Sequence, residues 1–214
     1  MQLNQEQIQQ IKDYLKAIDF NYIDLKHEIL DHMITDIENI MQEKQVDFHT
    51  AFTIVKIKWN SNFKQRSSLI LGHFNLAPKI VIDKAKEIFT PFFIGYFISY
   101  YLPMILFRIF NIQLPDSLNL ILLVLVIISL TISFYLIVKM ASIKYDTVYS
   151  FLFNINKFSF FILLMSILLL VATFKDISPI AISLSITGIY SSIVSYYLFK
   201  QHLTALKKHQ LKWS

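Results

Sequence analysis

The chain has 214 residues with a formal net charge of +5, of which 55% are hydrophobic, 16% are charged, 3 are Gly and none is Cys. The absence of Cys excludes disulfides, thiolate metal sites and a cysteine nucleophile. Three widely spaced glycines exclude the standard glycine-rich nucleotide loops and the G-x-S-x-G hydrolase turn. Soluble domains average about 25% charged residues, so this composition indicates a membrane protein.

The charge is divided unevenly along the chain. Residues 1–87 contain 12 acidic and 11 basic residues, whereas residues 88–214 contain 3 acidic and 9 basic residues. A nucleic-acid-binding domain needs Lys and Arg clustered on a folded soluble face, but the basic excess here lies beside apolar segments. We therefore predict a lipid bilayer as a partner and no direct contact with nucleic acid.

The first 66 residues have the apolar periodicity of three short helices. Asn4 and Gln7 have the capping-box spacing at the start of the first helix. A second helix is predicted at about Tyr22–Glu43, and Asp47 caps the third. We predict that residues 1–66 form a cytoplasmic three-helix module with one small core. The predicted core residues are Ile8, Ile11, Leu15, Ile18, Leu30, Met33, Ile34, Ile37, Ile40, Met41, Phe48, Ala51, Phe52, Val55 and Trp59.

The second helix is amphipathic, with acidic residues at steps of three and four on the side opposite its apolar stripe. We predict that this acidic face binds a protein partner by electrostatic complementarity. The alternative is a solvated surface without a partner. The predicted partner-binding residues are Asp24, Glu28, Asp31, His32 and Asp36.

The same helix contains two histidines in a pattern similar to the H-E-x-x-H zinc motif. His32 follows His27 by five residues, which rotates it by about 140° around a helix, so the two imidazoles cannot share one metal. Glu28 and His32 could supply two ligands with Asp31 or Asp36 nearby, but zinc sites need three or four protein ligands. We predict no metal, no other cofactor and no enzymatic activity, and we interpret Glu28 and His32 as a surface pair.

Residues 67–87 are predicted to form a linker and a juxtamembrane helix, with a break at Gly72 and a helix start at Pro78. Four apolar segments long enough to cross a bilayer follow, at residues 88–110, 117–138, 151–174 and 177–199. We predict that they form a four-helix transmembrane bundle, so the fold class is all-α. The basic tail, residues 200–214, either lies on the bilayer or continues the fourth helix into the cytosol.

Lys and Arg flank these spans asymmetrically. Ten of them fall on the side of the two termini, and only Arg108 and Lys175 fall on the other. The positive-inside rule then places both termini in the cytoplasm, and we predict a multi-pass protein of the bacterial inner membrane. The predicted membrane-surface residues are Lys79, Lys84, Lys86, Lys139, Lys144, Lys207, Lys208 and Lys212.

The predicted spans contain few ionisable residues, and residues 88–199 contain no His. Proton relays and ion-coupled carriers need such groups inside the membrane, so this composition argues against a pump. The Ser and Thr residues of the spans are predicted to pack helices together. Asn154, Asn156 and Ser191 are the polar residues on which transport activity would depend.

One stretch of the module resembles known sequences. The run Tyr22–Glu38, followed by Asp47–Phe52 and Trp59-Asn60, is similar to an uncharacterised family of small membrane proteins from Bacteroidetes. It more distantly resembles the HAAS-type module, a helical domain fused to membrane-spanning segments, and the N-terminal prefix of some ABC permeases. The resemblance implies a regulatory or signalling membrane protein, often associated with a PadR-like transcription regulator, and it implies no catalytic residue.

The sequence therefore predicts a regulatory membrane protein whose cytoplasmic module binds a protein partner. The alternative is a transport or permease-complex component without its own catalytic site. A membrane enzyme that uses Glu28 or His32 is the third hypothesis. The sequence is also compatible with a homo-oligomer.

Overall fold

The computed structural model describes residues 2–110, 115–173 and 178–213, except for the side chains of residues 116 and 209–213. The chain divides into two compact units. The first unit contains Met1–Lys86, Tyr145–Val148 and His202–Ser214, and the second contains Glu87–Lys144 and Tyr149–Gln201. The span ends predicted at 174 and 177, residues 111–114 and 175–176 of the predicted outer connections, and the side chain of Lys212 lie outside the described residues.

The three helices predicted for the start of the chain are present in the first unit. They are α1 at Gln5–Ala17, α2 at Ile23–Lys44 and α3 at Phe48–Phe63. The side chains of Asn4 and Gln7 form the predicted capping box, and the Asp47 carboxylate accepts a hydrogen bond from the backbone N–H of Thr50. The local cap residues therefore fix where α1 and α3 begin.

The core of the three-helix module lies between α1, α2 and α3. All five residues predicted for α3, from Phe48 to Trp59, are buried. Ile11 and Leu15 of α1 are fully buried, as are Met33 and Ile37 of α2, and these positions were also predicted. The structure adds Leu25 and Ile29 to the buried side of α2.

A β-hairpin follows α3, where the sequence predicts the end of the helical module and the start of the linker. Strand β1 at Gln65–Ser68 pairs antiparallel with strand β2 at Gly72–Pro78. Gly72 stands at the predicted break and has a φ of 87°, a conformation that favours glycine. Helix α4 begins immediately after the hairpin, at Lys79, so the predicted helix start at Pro78 is correct to within one residue.

The remaining elements of the described residues are predominantly apolar helices. These are α4 at Lys79–Ile109, α5 at Asp116–Ala141, α6 at Val148–Asn156, α7 at Ser159–Ala172 and α8 at Pro179–Trp213. Among the described residues, four stretches are long and apolar enough to cross a membrane: α4, α5, α6 together with α7, and α8. This supports the prediction of a multi-pass membrane protein.

Two of the four stretches differ from the predicted spans, one by an interruption and one by its length. The third stretch is interrupted by the turn residues Lys157 and Phe158, so α6 ends at Asn156 and α7 begins at Ser159. Helix α8 is continuous through the predicted basic tail as far as Trp213. Of the two alternatives for the tail, the structure therefore has the continued helix.

Small and hydroxyl-bearing residues pack the helices of the second unit. Val126, Leu163, Leu170 and Ala181 form an apolar core contributed by α5, α7 and α8. The hydroxyls of Ser133 and Ser192 lie 2.9 Å apart and share a hydrogen bond. The packing role predicted for the Ser and Thr residues of the spans is seen for the serines of α8, which are buried, whereas Thr131 of α5 is exposed. Those buried in α8 are Ser183, Ser185, Ser191, Ser192 and Ser195.

Candidate functional site

The N-terminus of α2 is covered by the short segment Tyr145–Val148, which leads into α6. The backbone N–H of Ile23 donates a hydrogen bond of 3.0 Å to the carbonyl oxygen of Asp146. Tyr22 and Asp146 are also paired as a parallel β-bridge. The segment is therefore held by the backbone of the first residues of α2, and we call residues 145–148 the docked segment.

The carboxylate of Asp24 makes the side-chain contact to the docked segment. Its Oδ2 atom accepts a hydrogen bond of 2.9 Å from the backbone N–H of Val148. Val148 is the first residue of α6, where backbone N–H groups lack a partner within the helix. A carboxylate in this position both satisfies that donor and interacts favourably with the helix dipole.

The Asp24 carboxyl is costly to ionise in this environment. Burial raises its pKa from 3.8 to about 6, against the opposing effect of backbone hydrogen bonds that include Val148, and the charge of Glu28 adds to the rise. Its Oδ1 atom is buried and has no hydrogen-bond partner among the described residues. Burial, together with the charges of Asp146 and Asp24, also raises the pKa of Tyr22 to about 12.

The docked segment is held on a second side by α8. The hydroxyl of Thr147 and the Nδ1 atom of His202 lie 2.8 Å apart and share a hydrogen bond, and both side chains are fully buried. The Nε2 atom of His202 is buried without a hydrogen-bond partner among the described residues. The first unit thus brings together the start of α2, the residues before α6 and the C-terminal part of α8.

Sequence reasoning found only one of these residues, Asp24, and assigned it to a different contact. Thr147 and His202 were not predicted. A usable pattern was present, because His202 follows Val194 and Leu198 at intervals of four residues and both are buried. That spacing places the three side chains on one face of α8 and marks the histidine as an interior residue.

The predicted partner-binding residues on α2 have three different environments. Asp24 contacts the docked segment, as described above. The Asp36 carboxylate accepts hydrogen bonds from Lys58 Nζ at 2.9 Å and from Trp59 Nε1 at 2.9 Å. Glu28, Asp31 and His32 are exposed. Of the five predicted residues, these last three are therefore the ones exposed on the surface of the helix.

Asp36 joins α2 to α3. Burial alone would raise the pKa of its carboxyl, but the hydrogen bonds from Trp59 and Lys58 outweigh burial and lower the pKa.

Among the described residues, no three His, Asp or Glu side chains are placed to hold a metal ion together.

The predicted membrane-surface lysines lie on three helices and one connection. Lys79 and Lys86 flank Asp83 on α4, with Nζ to carboxylate distances of 4.0 and 3.7 Å. The Nζ atom of Lys139 lies 5.7 Å from the ring centre of Tyr135 on α5. The remaining described members of the set are Lys84 on α4, Lys144 in the connection after α5, and Lys207 and Lys208 on α8.

A second polar cluster lies inside the second unit and is centred on Asn156. The Asn156 Oδ1 atom accepts a hydrogen bond from the Tyr96 hydroxyl at 2.5 Å. Its Nδ2 group donates to Ser195 Oγ at 2.8 Å and to the Ser191 carbonyl oxygen at 3.2 Å. The cluster joins α4, α6 and α8 at the point where α6 ends. Asn154, the other asparagine of α6, is exposed.

Comparison of the chain with models of protein families, with curated proteins and with solved structures found no match.

Proposed function

We propose that this chain is a regulatory protein of the bacterial inner membrane, whose N-terminal three-helix module binds a cytoplasmic protein and couples that binding to the membrane-spanning helices. The described part of the chain has four helices suited to cross a membrane, and the lysine distribution favours cytoplasmic termini. The observation that carries the proposal is the contact between α2 and the docked segment.

The docked segment could transmit a change in the module to the membrane-spanning helices, because it continues into α6. Val148 begins α6, and its N–H is bound by Asp24 of α2. Thr147 of the same segment is bound to His202 of α8. A displacement of α2 that breaks the Asp24 contact would release the start of α6. Coupling of this kind requires an element with two arrangements that both sites influence, and we propose the docked segment as that element.

The exposed part of α2 supplies the partner surface. Glu28, Asp31 and His32 lie at steps of three and four residues along one helix face and are exposed. Residues 1–47 contain 10 acidic and 4 basic residues, so a partner with a basic surface is favoured. The resemblance to the HAAS-type module suggests a PadR-like regulator. We propose no catalytic role and no cofactor for these residues.

Co-purification with charge-reversal variants tests this proposal. Asp31→Lys should remove the partner from the full-length chain extracted from its native membrane. Glu43→Lys is the matched control, because Glu43 is also an exposed acid of α2 but lies near the opposite end of the helix. Partner sets that are identical for the unmodified chain, Asp31→Lys and a chain lacking residues 1–66 would contradict the proposal.

Transport is the second candidate, and the cluster at Asn156 is the observation that favours it. Interrupted membrane helices with polar residues at the break are typical of transporter binding sites. Against this, the Asn156 amide already uses its oxygen and its nitrogen in hydrogen bonds within the protein, which is typical of helix packing. Solute flux into liposomes that is abolished by Asn156→Leu would favour transport.

A further inference from the structure

The β-hairpin of the first unit is held in place by its inward side. Ser68, Leu71 and Ala77 are buried, and the Asn75 side chain donates a hydrogen bond of 2.6 Å to the carbonyl oxygen of Leu71. The backbone N–H of Gly72 donates to the carbonyl oxygen of Leu69 and closes the turn. The hairpin is thus an ordered element with a defined outward side.

That outward side is apolar. The exposed fractions are 85% for Leu69, 98% for Phe74 and 64% for Leu76. Phe74 and Leu76 are two residues apart on β2 and therefore point to the same face of the strand. Single exposed apolar residues are ordinary on protein surfaces, but a group of large ones on one short element marks an interaction surface.

The surroundings of this apolar side are basic. No Asp or Glu occurs between Asp47 and Asp83, whereas five Lys or Arg residues do. Lys64 and Arg66, which adjoin or belong to β1, are both exposed. Apolar residues flanked by cations suit an anionic lipid surface, where the apolar groups enter the acyl boundary and the cations contact headgroups.

We propose that the hairpin inserts Leu69, Phe74 and Leu76 into the interface of a bilayer containing anionic lipid, with Lys64 and Arg66 contacting the headgroups. A second copy of the hairpin is a poorer occupant, because it would bring Lys64 and Arg66 of each copy close together without an intervening acid. The chain already has helices suited to cross a bilayer, so the protein would be close to lipid. This inference does not depend on the proposed protein partner.

Site-directed labelling tests the proposal directly, because the chain contains no Cys. Leu69→Cys carries an environment-sensitive fluorophore in the full-length protein, reconstituted into bilayers with or without anionic lipid and with quenchers on the acyl chains. Ile57→Cys is the matched control, since Ile57 is an apolar residue of α3 that is 72% exposed.

We expect acyl-chain quenching at position 69 that clearly exceeds quenching at position 57, and that increases with the anionic lipid content. Arg66→Gln should lower the ratio of inserted to free hairpin about fivefold, which corresponds to about 1 kcal/mol for one basic residue near an anionic surface. Phe74→Ser in the labelled chain should also reduce the quenching.

Three results would overturn the proposal. Equal quenching at positions 69 and 57 would show that the hairpin does not enter lipid. Quenching that is unaffected by lipid charge and by Arg66→Gln would remove the headgroup contact. Shielding of the fluorophore that appears only when two copies share a bilayer disc would assign the surface to a second copy of the chain.

Discussion

Oδ2 of Asp24 accepts a hydrogen bond of 2.9 Å from the backbone N–H of Val148, which lies 124 positions later in the chain. This contact joins the first turn of α2 to the first residue of α6. The contact gives Asp24 a different role from the predicted one, because the sequence pattern places this residue on the exposed acidic face of the module. In the structure this carboxylate holds the docked segment, and the exposed face begins at Glu28.

Removal of the Asp24 carboxylate should release the docked segment. We expect Asp24→Ala to lower the protection of the Ile23 and Val148 amides by about 1 kcal/mol, the usual cost of losing a side chain at a helix N-terminus. Hydrogen exchange of the full-length protein measures this. Asp13→Ala, an exposed position of α1, is the control. Unchanged protection of both amides in Asp24→Ala would show that the carboxylate does not hold the segment.

The same contact should depend on pH. Burial raises the pKa of Asp24 from 3.8 to about 6, so the docked state binds more protons than an open state with an ordinary carboxyl. Docking should therefore weaken as the pH rises from about 4 to about 6, by at most about 3 kcal/mol. Hydrogen exchange at Ile23, corrected for the intrinsic pH dependence of exchange, measures the change.

Asp24→Asn removes this ionisable group and leaves its titratable neighbours in place. The variant keeps an acceptor for the Val148 N–H but cannot ionise. Tyr22, Glu28, Asp146 and His202 are retained in both proteins, so the difference between the two reports the Asp24 carboxyl together with its electrostatic coupling to Tyr22 and Glu28. Docking should be stronger in Asp24→Asn than in the unmodified chain at pH 7 and nearly equal at pH 4. A constant difference across this range would contradict the assignment.

The sequence correctly predicts the helices whose bounds depend on neighbouring residues in the chain. The capping residues Asn4 and Asp47 correctly predict the starts of α1 and α3. The apolar run of residues 117–138 predicts most of α5, because a span needs only about 20 apolar residues. Boundaries were less accurate where one helix continues beyond the apolar run, as in α4 and α8.

The docked segment and the hairpin could not be predicted in the same way. Asp24 and Val148 are joined by tertiary folding, and neither residue type indicates the other. The hairpin has its large apolar residues, Phe74 and Leu76, on the outward side, which reverses the usual pattern of a half-buried strand. Strand β1, with the sequence Gln65–Ser68, is polar and carries little strand propensity.

The contact between Asp36 and Trp59 should stabilise the three-helix module. Asp36→Ala removes the acceptor of the Trp59 Nε1–H group and leaves a part-buried donor unpaired, which costs about 1–3 kcal/mol. Lys58→Ala should cost less than about 1 kcal/mol, because the Lys58 side chain is 60% exposed. Thermal unfolding followed by tryptophan fluorescence checks the order of the two effects. A larger loss in Lys58→Ala would contradict it.

The cluster at Asn156 should contribute to the packing of the second unit. Asn156→Ala removes the acceptor of the Tyr96 hydroxyl and the donor to Ser195. Hydrogen bonds between membrane helices average about 0.6 kcal/mol each, so we expect a loss of about 1–2 kcal/mol in stability. Asn154→Ala is the matched control, because Asn154 is an exposed asparagine of the same helix.

Stability is measured by denaturation in detergent micelles, and solute flux is measured in liposomes made from the same preparations. Together the two measurements separate a packing role from a transport role at this site. If Asn156 serves packing, Asn156→Ala loses stability, and Tyr96→Phe loses part of it because the hydroxyl of Tyr96 makes the bond to Asn156. If the site binds a transported solute, Asn156→Ala loses flux at unchanged stability, since a binding group removed from a site need not weaken the fold. Equal stability and equal flux in Asn156→Ala and Asn154→Ala would contradict both roles.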